Sequence, residues 1–107
     1  VEVVGLYDTG NRLNDPYVHA PVYILAEAEY TRLIGESTAA RLIPYLTVGA
    51  SGRLMEVTTI DALEWNGGRQ MEVVIGRADD AVFAGKDYRM ILPAAFDFCL
   101  KGDNGCT

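Results

Sequence analysis

Val4-Gly5-Leu6-Tyr7-Asp8-Thr9-Gly10-Asn11 is the stretch that decides the fold, because an apolar run ends there on a short polar turn. The β-branched and apolar residues of 1–7 predict a strand, and the residues that follow are typical of turns. Asp8 is a potential acid or base, Thr9 can brace the loop by hydrogen bonding to backbone, and Gly10 permits close approaches that a Cβ would block. The stretch therefore predicts a carboxylate held still at the end of a strand, as a catalytic group requires.

The rest of the sequence predicts a mostly β protein. Short apolar or β-branched runs bounded by turn residues predict strands at 20–26, 41–48, 53–60, 62–65, 69–77 and 90–92. Apolar residues at helical spacing predict a short helix at 27–34, and Pro93 is suited to open a second helix at 94–100. Many short strands with tight turns and one or two short helices predict a closed β-barrel, formed by a single domain of residues 1–107.

Composition narrows the classes of partner. The formal net charge is -6 and the basic residues are scattered along the sequence, which argues against nucleic acid and anionic membrane as main partners. We interpret the acidity as a solvated surface, and a weak preference for basic peptide substrates is the alternative. No apolar run is long enough to cross a bilayer, and the first residues do not resemble a signal peptide. The fragment is therefore expected to be soluble.

No cofactor or metal is expected. Cys99 and Cys106 do not have the spacing of a redox pair or a zinc knuckle, and we expect reduced thiols, although the spacing leaves a disulfide open. His19 is the only histidine and has no partner nearby in sequence, which favours a loop residue over a catalytic base. The Gly49–Gly52 segment lacks the Gly-Lys-Ser/Thr ending of a phosphate-binding loop.

The order of the elements resembles that of the retropepsin-like aspartic proteases, in which an Asp-Thr-Gly loop precedes a Gly-rich flap hairpin and then a short apolar strand and a helix. By this resemblance Asp8 is the catalytic residue, and Thr9 and Gly10 support the active-site loop. The resemblance also implies a flap over the bound peptide, formed by Val48, Gly49, Ala50, Ser51 and Gly52. Candidate walls of the substrate pockets are Val48, Leu54, Ile91 and Leu92, for which ordinary core packing is the alternative.

The sequence holds a single Asp-Thr-Gly, whereas an aspartic protease needs two carboxyl groups close together. Other acidic residues lack this setting, because none of them is followed by Thr-Gly or Ser-Gly: Asp61, Asp79, Asp80, Asp87 and Asp97. These 107 residues are also expected to be too few for both lobes of a pepsin-like enzyme. We therefore expect a two-fold symmetric homodimer with Asp8 and its symmetry mate at the axis.

Within that group, the sequence is similar to the sporulation sigma-E factor-processing peptidases. The similar segments are Asp8-Thr9-Gly10-Asn11-Arg12-Leu13-Asn14-Asp15-Pro16, then 20–24, then 41–45 with Val48-Gly49. The resemblance implies the cytoplasmic protease domain of a longer membrane protein, anchored through an N-terminal region that precedes this domain. It implies a location at the cytoplasmic face of the cell membrane, in the mother cell of a sporulating bacterium. The expected substrate is an inactive sigma-factor precursor, from which the enzyme cleaves the pro-sequence.

The sequence leaves alternatives for the substrate-binding groups and for the function. Asn11 stands where retropepsins usually carry Ala or Ser, so the loop groups that would hold a substrate backbone are not identified; Asp15 is expected to cap a turn and Arg12 to lie at the surface. A non-catalytic peptide-binding or assembly module with the same fold is an alternative function. An aspartic protease whose target is unrelated to sporulation is another.

Overall fold

The structure, a computed structural model, describes residues 1–35, 40–47 and 50–96. One helix, α1 (Glu27–Ile34), and two short 3-10 helices at Asp80–Phe83 and Ala94–Phe96 accompany the strands. The prediction of a mostly β protein with few short helices is therefore confirmed. The strands are β1 (Gly5–Tyr7), β2 (Asn14–Asp15), β3 (Ala20–Ala26), β4 (Arg41–Thr47), β5 (Ala50–Trp65), β6 (Gly68–Ala78) and β7 (Met90–Leu92).

The strands form one mixed sheet. Its order is β1-β7-β3-β6-β5-β4, and β2 pairs with β3 beside this path. The β1–β7 and β3–β6 pairs are parallel, whereas the β3–β7, β5–β6 and β4–β5 pairs are antiparallel. No helix within the described ranges is long and apolar enough to span a membrane.

The prediction of a closed β-barrel is wrong, because the described sheet is open. Closure would require its outer strands, β1 and β4, to pair, and neither has a second partner among the described residues. β4 pairs with the first half of β5, which is long enough to pair with two strands in succession. Its residues 50–57 pair with β4 and its residues 57–65 pair with β6, so the β4–β5 hairpin extends beyond the rest of the sheet.

Local boundaries follow the sequence pattern with some exceptions, and the predicted strand at 1–7 is limited to β1. The strand at 20–26 and the helix at 27–34 have the predicted limits, and Gly35 ends the helix with a positive φ of 64°. The predicted strands at 53–60 and 62–65 are one continuous strand, in which Asp61 is an exposed residue. The predicted terminal helix is a 3-10 helix at Ala94–Phe96 in the described part, and 97–100 lies outside it.

The core occupies both faces of the central strands. Alternate residues of β3 and β6 point to opposite sides, so Tyr23 and Ile75 join one buried cluster while Val22 and Val74 join another. Burying each such side chain stabilises the fold by about 1.5–3 kcal/mol. At Gly76 an added Cβ would lie 2.5 Å from Met55 Sδ and 3.0 Å from Val22 Cγ1. A larger residue at this position would therefore displace the Met55 side chain and crowd Val22, whose side chains pack against β6.

Candidate active site

Asp8 lies on the turn directly after β1, and its carboxylate is oriented by that turn. Asp8 Oδ1 accepts a hydrogen bond from the Gly10 N–H at 2.8 Å, and the Asp8 carbonyl accepts one from the Asn11 N–H at 3.0 Å. A Cβ at Gly10 would lie 3.1 Å from Asp8 Oδ1, so a side chain at this position would crowd the carboxylate. Among the described residues, no donor binds Oδ2 and no cation forms an ion pair with Asp8. One carboxylate oxygen is thus fixed and the other is available.

Asn11 anchors this turn to the sheet, a role that the sequence did not reveal. The residue is buried; its Nδ2 donates to the Val22 carbonyl at 3.1 Å, and its Oδ1 accepts from the Leu13 N–H at 3.3 Å. The Asn11 carbonyl accepts from the Ala94 N–H at 2.9 Å. An amide can make all of these bonds where Ala could make only the last. Asn11 therefore holds the loop that carries Asp8.

A buried ion pair connects the same segment to the hairpin. Asp15 is fully buried, and its Oδ2 accepts from Arg41 Nε at 3.0 Å and from Arg41 Nη2 at 2.5 Å. Its Oδ1 accepts from the Tyr17 N–H at 2.8 Å, so the predicted turn cap is present as well. The ion pair was not predicted, because Arg41 is distant in sequence. It joins β2, at the end of the Asp8 loop, to the first residue of β4.

A cavity of about 1070 Å³, the Asp8 groove, lies beside the turn. Its walls come from the 8–14 loop, the β4–β5 hairpin, β7 and the end of β6. Of the predicted site residues, Asp8, Gly10 and Ile91 line this groove. Its lining includes Asp8, Gly10, Pro44, Tyr45, Met55 and Ile91.

The other predicted site residues lie in several places. Thr9 is exposed on the turn, whereas Leu54 is 58% exposed on β5 and does not line the Asp8 groove. Leu92 faces the opposite side, where it lines a smaller cavity of about 470 Å³ with Trp65 and Phe96. The backbone of Ala50, Ser51 and Gly52 begins β5, with Ala50 opposite Thr47, and Val48 and Gly49 lie outside the described residues.

Three arginines line the Asp8 groove, a feature that sequence reasoning missed. Arg12 belongs to the 8–14 loop, Arg53 to β5 and Arg77 to β6, so the fold gathers charges that are scattered in the sequence. Arg77 Nη1 donates to Glu27 Oε1 at 3.0 Å. Asp79 also lines the groove, and its Oδ1 accepts from the Ala81 N–H at 2.9 Å at the start of a 3-10 helix.

Outside the groove, an ion-pair network supports β7. Arg89 donates to Glu29 Oε2 at 2.7 Å and to Asp80 Oδ1 at 2.7 Å, and the Arg89 N–H donates to the Val4 carbonyl at 2.9 Å. The hydrogen bond from Arg89 lowers the pKa of Glu29, and the same bond raises the pKa of Arg89. The network connects α1, β7 and the residues before β1, and so fixes the strand that carries Ile91.

In the part of the chain that the structure describes, no three His, Cys, Asp or Glu side chains are grouped as metal ligands would be. Comparison with protein-family models, with curated proteins and with solved structures gave no match. A proposal on function therefore rests on the residues and geometry of the Asp8 groove and on the sequence resemblance to the retropepsin-like proteases.

Proposed function

We propose that the chain is the protease domain of an aspartic endopeptidase that acts as a homodimer with one Asp8 from each subunit. The observation that carries the proposal is the position of Asp8. Its carboxylate is oriented by its own turn, keeps one oxygen unbonded by described residues, and lines a groove beside a β-hairpin. A groove of about 1070 Å³ next to a hairpin is large enough for several residues of an extended peptide.

The proposed chemistry is general acid–base hydrolysis by a shared-proton pair. Two carboxyl groups about 3 Å apart cannot both ionise easily, so one proton is held between them. The charged member removes a proton from a water molecule, whose oxygen attacks the scissile carbonyl carbon, while the protonated member donates to the carbonyl oxygen. The tetrahedral intermediate then releases the amine as the C–N bond breaks, with a proton transferred to the leaving nitrogen. No cofactor takes part.

A second copy of the chain supplies the missing carboxylate. The surface beside Asp8 is suited to such contact, since β1 is an outer strand of the described sheet and Thr9 is exposed next to the catalytic residue. Val4 is 61% exposed and Leu6 is 38% exposed on the same segment. Burial of these apolar side chains against their symmetry mates favours association.

The resemblance to the sporulation sigma-E factor-processing peptidases extends the proposal to the substrate. On that basis the target is the pro-sequence of an inactive sigma factor, cleaved at the cytoplasmic face of the cell membrane during endospore formation. The similar segments include Asn11, which anchors the Asp8 turn, and Asp15 and Arg41, which form the buried ion pair. The resemblance therefore coincides with residues that hold the proposed site together.

The test is cleavage of a purified sigma-factor precursor by the domain and by its Asp8→Asn form. We expect a single cut that Asp8→Asn abolishes while the far-ultraviolet circular dichroism is unchanged. Asp61→Asn is the matched control, because Asp61 is an exposed carboxylate on β5 outside the Asp8 groove. Full activity of Asp8→Asn would exclude the proposal. A folded protein that binds the precursor without cutting it would favour the peptide-binding alternative.

Mixing experiments test the shared site. In an equimolar mixture of wild-type and Asp8→Asn chains that assort randomly, about one quarter of the dimers carry two aspartates. The activity of the mixture should therefore be about one quarter of that of wild type at the same total concentration, after subunit exchange. A value of about one half would mean that each chain acts alone.

A further inference from the structure

We propose that Arg12 and Arg53 make the Asp8 groove selective for peptides that carry acidic side chains close to the scissile bond. The inference rests on the proposed function and adds a substrate class to it. The whole chain has a formal net charge of -6, but three of its nine Lys and Arg residues, Arg12, Arg53 and Arg77, line this one groove. Asp8 and Asp79 also line the groove, so its lining carries three positive and two negative charges, whereas the whole chain is acidic.

Arg12 and Arg53 differ from most arginines of the chain in forming no salt bridge with a described residue. Of the seven arginines within the described ranges, four form salt bridges, and Arg77 is among them: Arg41, Arg69, Arg77 and Arg89. The remaining three are exposed and form no salt bridge with a described residue, and two of them, Arg12 and Arg53, line the Asp8 groove. The third, Arg32, lies on α1 and does not line it.

The two arginines lie on different elements around the proposed catalytic carboxylate, Asp8. Arg12 follows Asp8 on the same loop, and Arg53 lies on β5 of the hairpin, opposite Tyr45 of β4. An extended peptide presents its side chains alternately to its two sides. A peptide in the groove can therefore meet Arg12 with one acidic residue and Arg53 with another. Each guanidinium can bind a carboxylate through two N–H groups, which a glutamine side chain cannot match.

The groove also selects between opposite charges. Acidic composition alone is compatible with a preference for basic peptides, but Arg12 and Arg53 would repel lysine or arginine side chains placed next to them. An exposed ion pair of this kind changes binding only a few-fold, so two such pairs together correspond to about a tenfold change. The preference should weaken with added salt, because the groups are reached by solvent.

The experiment uses proteins that carry Asp8→Asn, so that binding is measured without cleavage. Two fluorescein-labelled peptides share an apolar centre and differ only in having glutamate or glutamine on both sides of it. Fluorescence anisotropy should give about tenfold tighter binding of the glutamate peptide. The preference should disappear in Arg12→Gln/Arg53→Gln and persist in Arg32→Gln, the exposed arginine outside the groove. Arg12→Glu/Arg53→Glu should instead prefer a lysine peptide of the same length.

Several outcomes would overturn the selectivity. These are equal binding of the glutamate and glutamine peptides, absence of binding by both, a preference that survives Arg12→Gln/Arg53→Gln, or an equal loss in Arg32→Gln. Cleavage by the enzyme with Asp8 intact separates this inference from the proposed function. If the peptides bind with the expected preference but are not cut, the protease proposal fails and the selectivity stands. If both are cut with the same kcat/KM, the protease stands and the selectivity fails.

Discussion

Replacing Arg41 by methionine should destabilise the protein by about 3–5 kcal/mol, because it leaves a buried carboxylate without its counter-charge. Asp15 is fully buried, and Arg41 supplies two of the three hydrogen bonds that the structure gives to its carboxylate. After the substitution only the Tyr17 N–H remains as a donor. The aliphatic part of the arginine is largely replaced by methionine, so the expected effect is mainly that of the unpaired charge.

Replacing the other partner of the ion pair should destabilise the protein less. Asp15→Asn removes the charge but keeps an oxygen for the Tyr17 N–H, and the Arg41 side chain is already 27% exposed and can reach solvent. We expect a loss of about 1.5–3 kcal/mol, which is typical of a hydrogen bond to a charged group. In Asp15→Asn/Arg41→Met no buried charge is left, so the two losses should not add, and the coupling should be about 1–3 kcal/mol.

The free energy of unfolding of all three variants is measured by urea unfolding, followed by the fluorescence of Trp65. Trp65 is the only tryptophan of the sequence and packs on Phe96. Protomer concentration is kept constant, because a dimer gains apparent stability with concentration. Arg69→Met is the control, since its pair with Glu64 spans 3.7 Å between exposed side chains and is worth less than about 1 kcal/mol. If Arg41→Met cost no more than Arg69→Met, the buried pair would not hold the hairpin to the Asp8 loop.

Two further substitutions test the other interactions around the site. Asn11→Ala should lower the free energy of unfolding by about 1–3 kcal/mol, because the Val22 carbonyl and the Leu13 N–H lose their hydrogen bonds to the Asn11 side chain. Asn14→Ala, at an exposed position, is the control in the same urea assay. Burial raises the pKa of Tyr23 from 10.0 to about 12, so the unfolded chain releases this proton first and stability falls as the pH rises through that interval. Tyr23→Phe should therefore reduce the loss of stability between about pH 10 and pH 12. Tyr17→Phe, at an exposed tyrosine, is the control and should not reduce it. An unchanged dependence of stability on alkaline pH in Tyr23→Phe would contradict the attribution of this loss to Tyr23.

Local structure was largely predictable because neighbouring residues determine it. The limits of β3 and α1 follow from an apolar run, a set of helix formers and Gly35, all of which act within a few residues. The Asp8 turn follows in the same way from Asp8 and Gly10, whose side chain and N–H form its hydrogen bond.

Long-range features were not predictable from the sequence. A closed barrel requires pairing between distant edge strands, and the pattern of one strand carries no information about its neighbour. The arginines of the Asp8 groove come from three separate elements, and Asp15 and Arg41 meet only after β4 has docked. Asn11 is a polar residue in a turn by sequence, and only the packing of Val22 and Ala94 against the loop turns it into a buried anchor.

In the described part of the chain the open sheet leaves β4 as an outer strand, and Pro44 lies near its middle. Outer strands are exposed to pairing with other molecules, and proline interrupts such pairing because it has no N–H to donate. A second molecule therefore cannot extend an unbroken hydrogen-bond ladder along β4, so this edge resists the unspecific stacking that leads to aggregates. Pro44→Thr would restore the backbone N–H at this position. We expect this variant to aggregate faster than wild type on mild heating, as measured by light scattering.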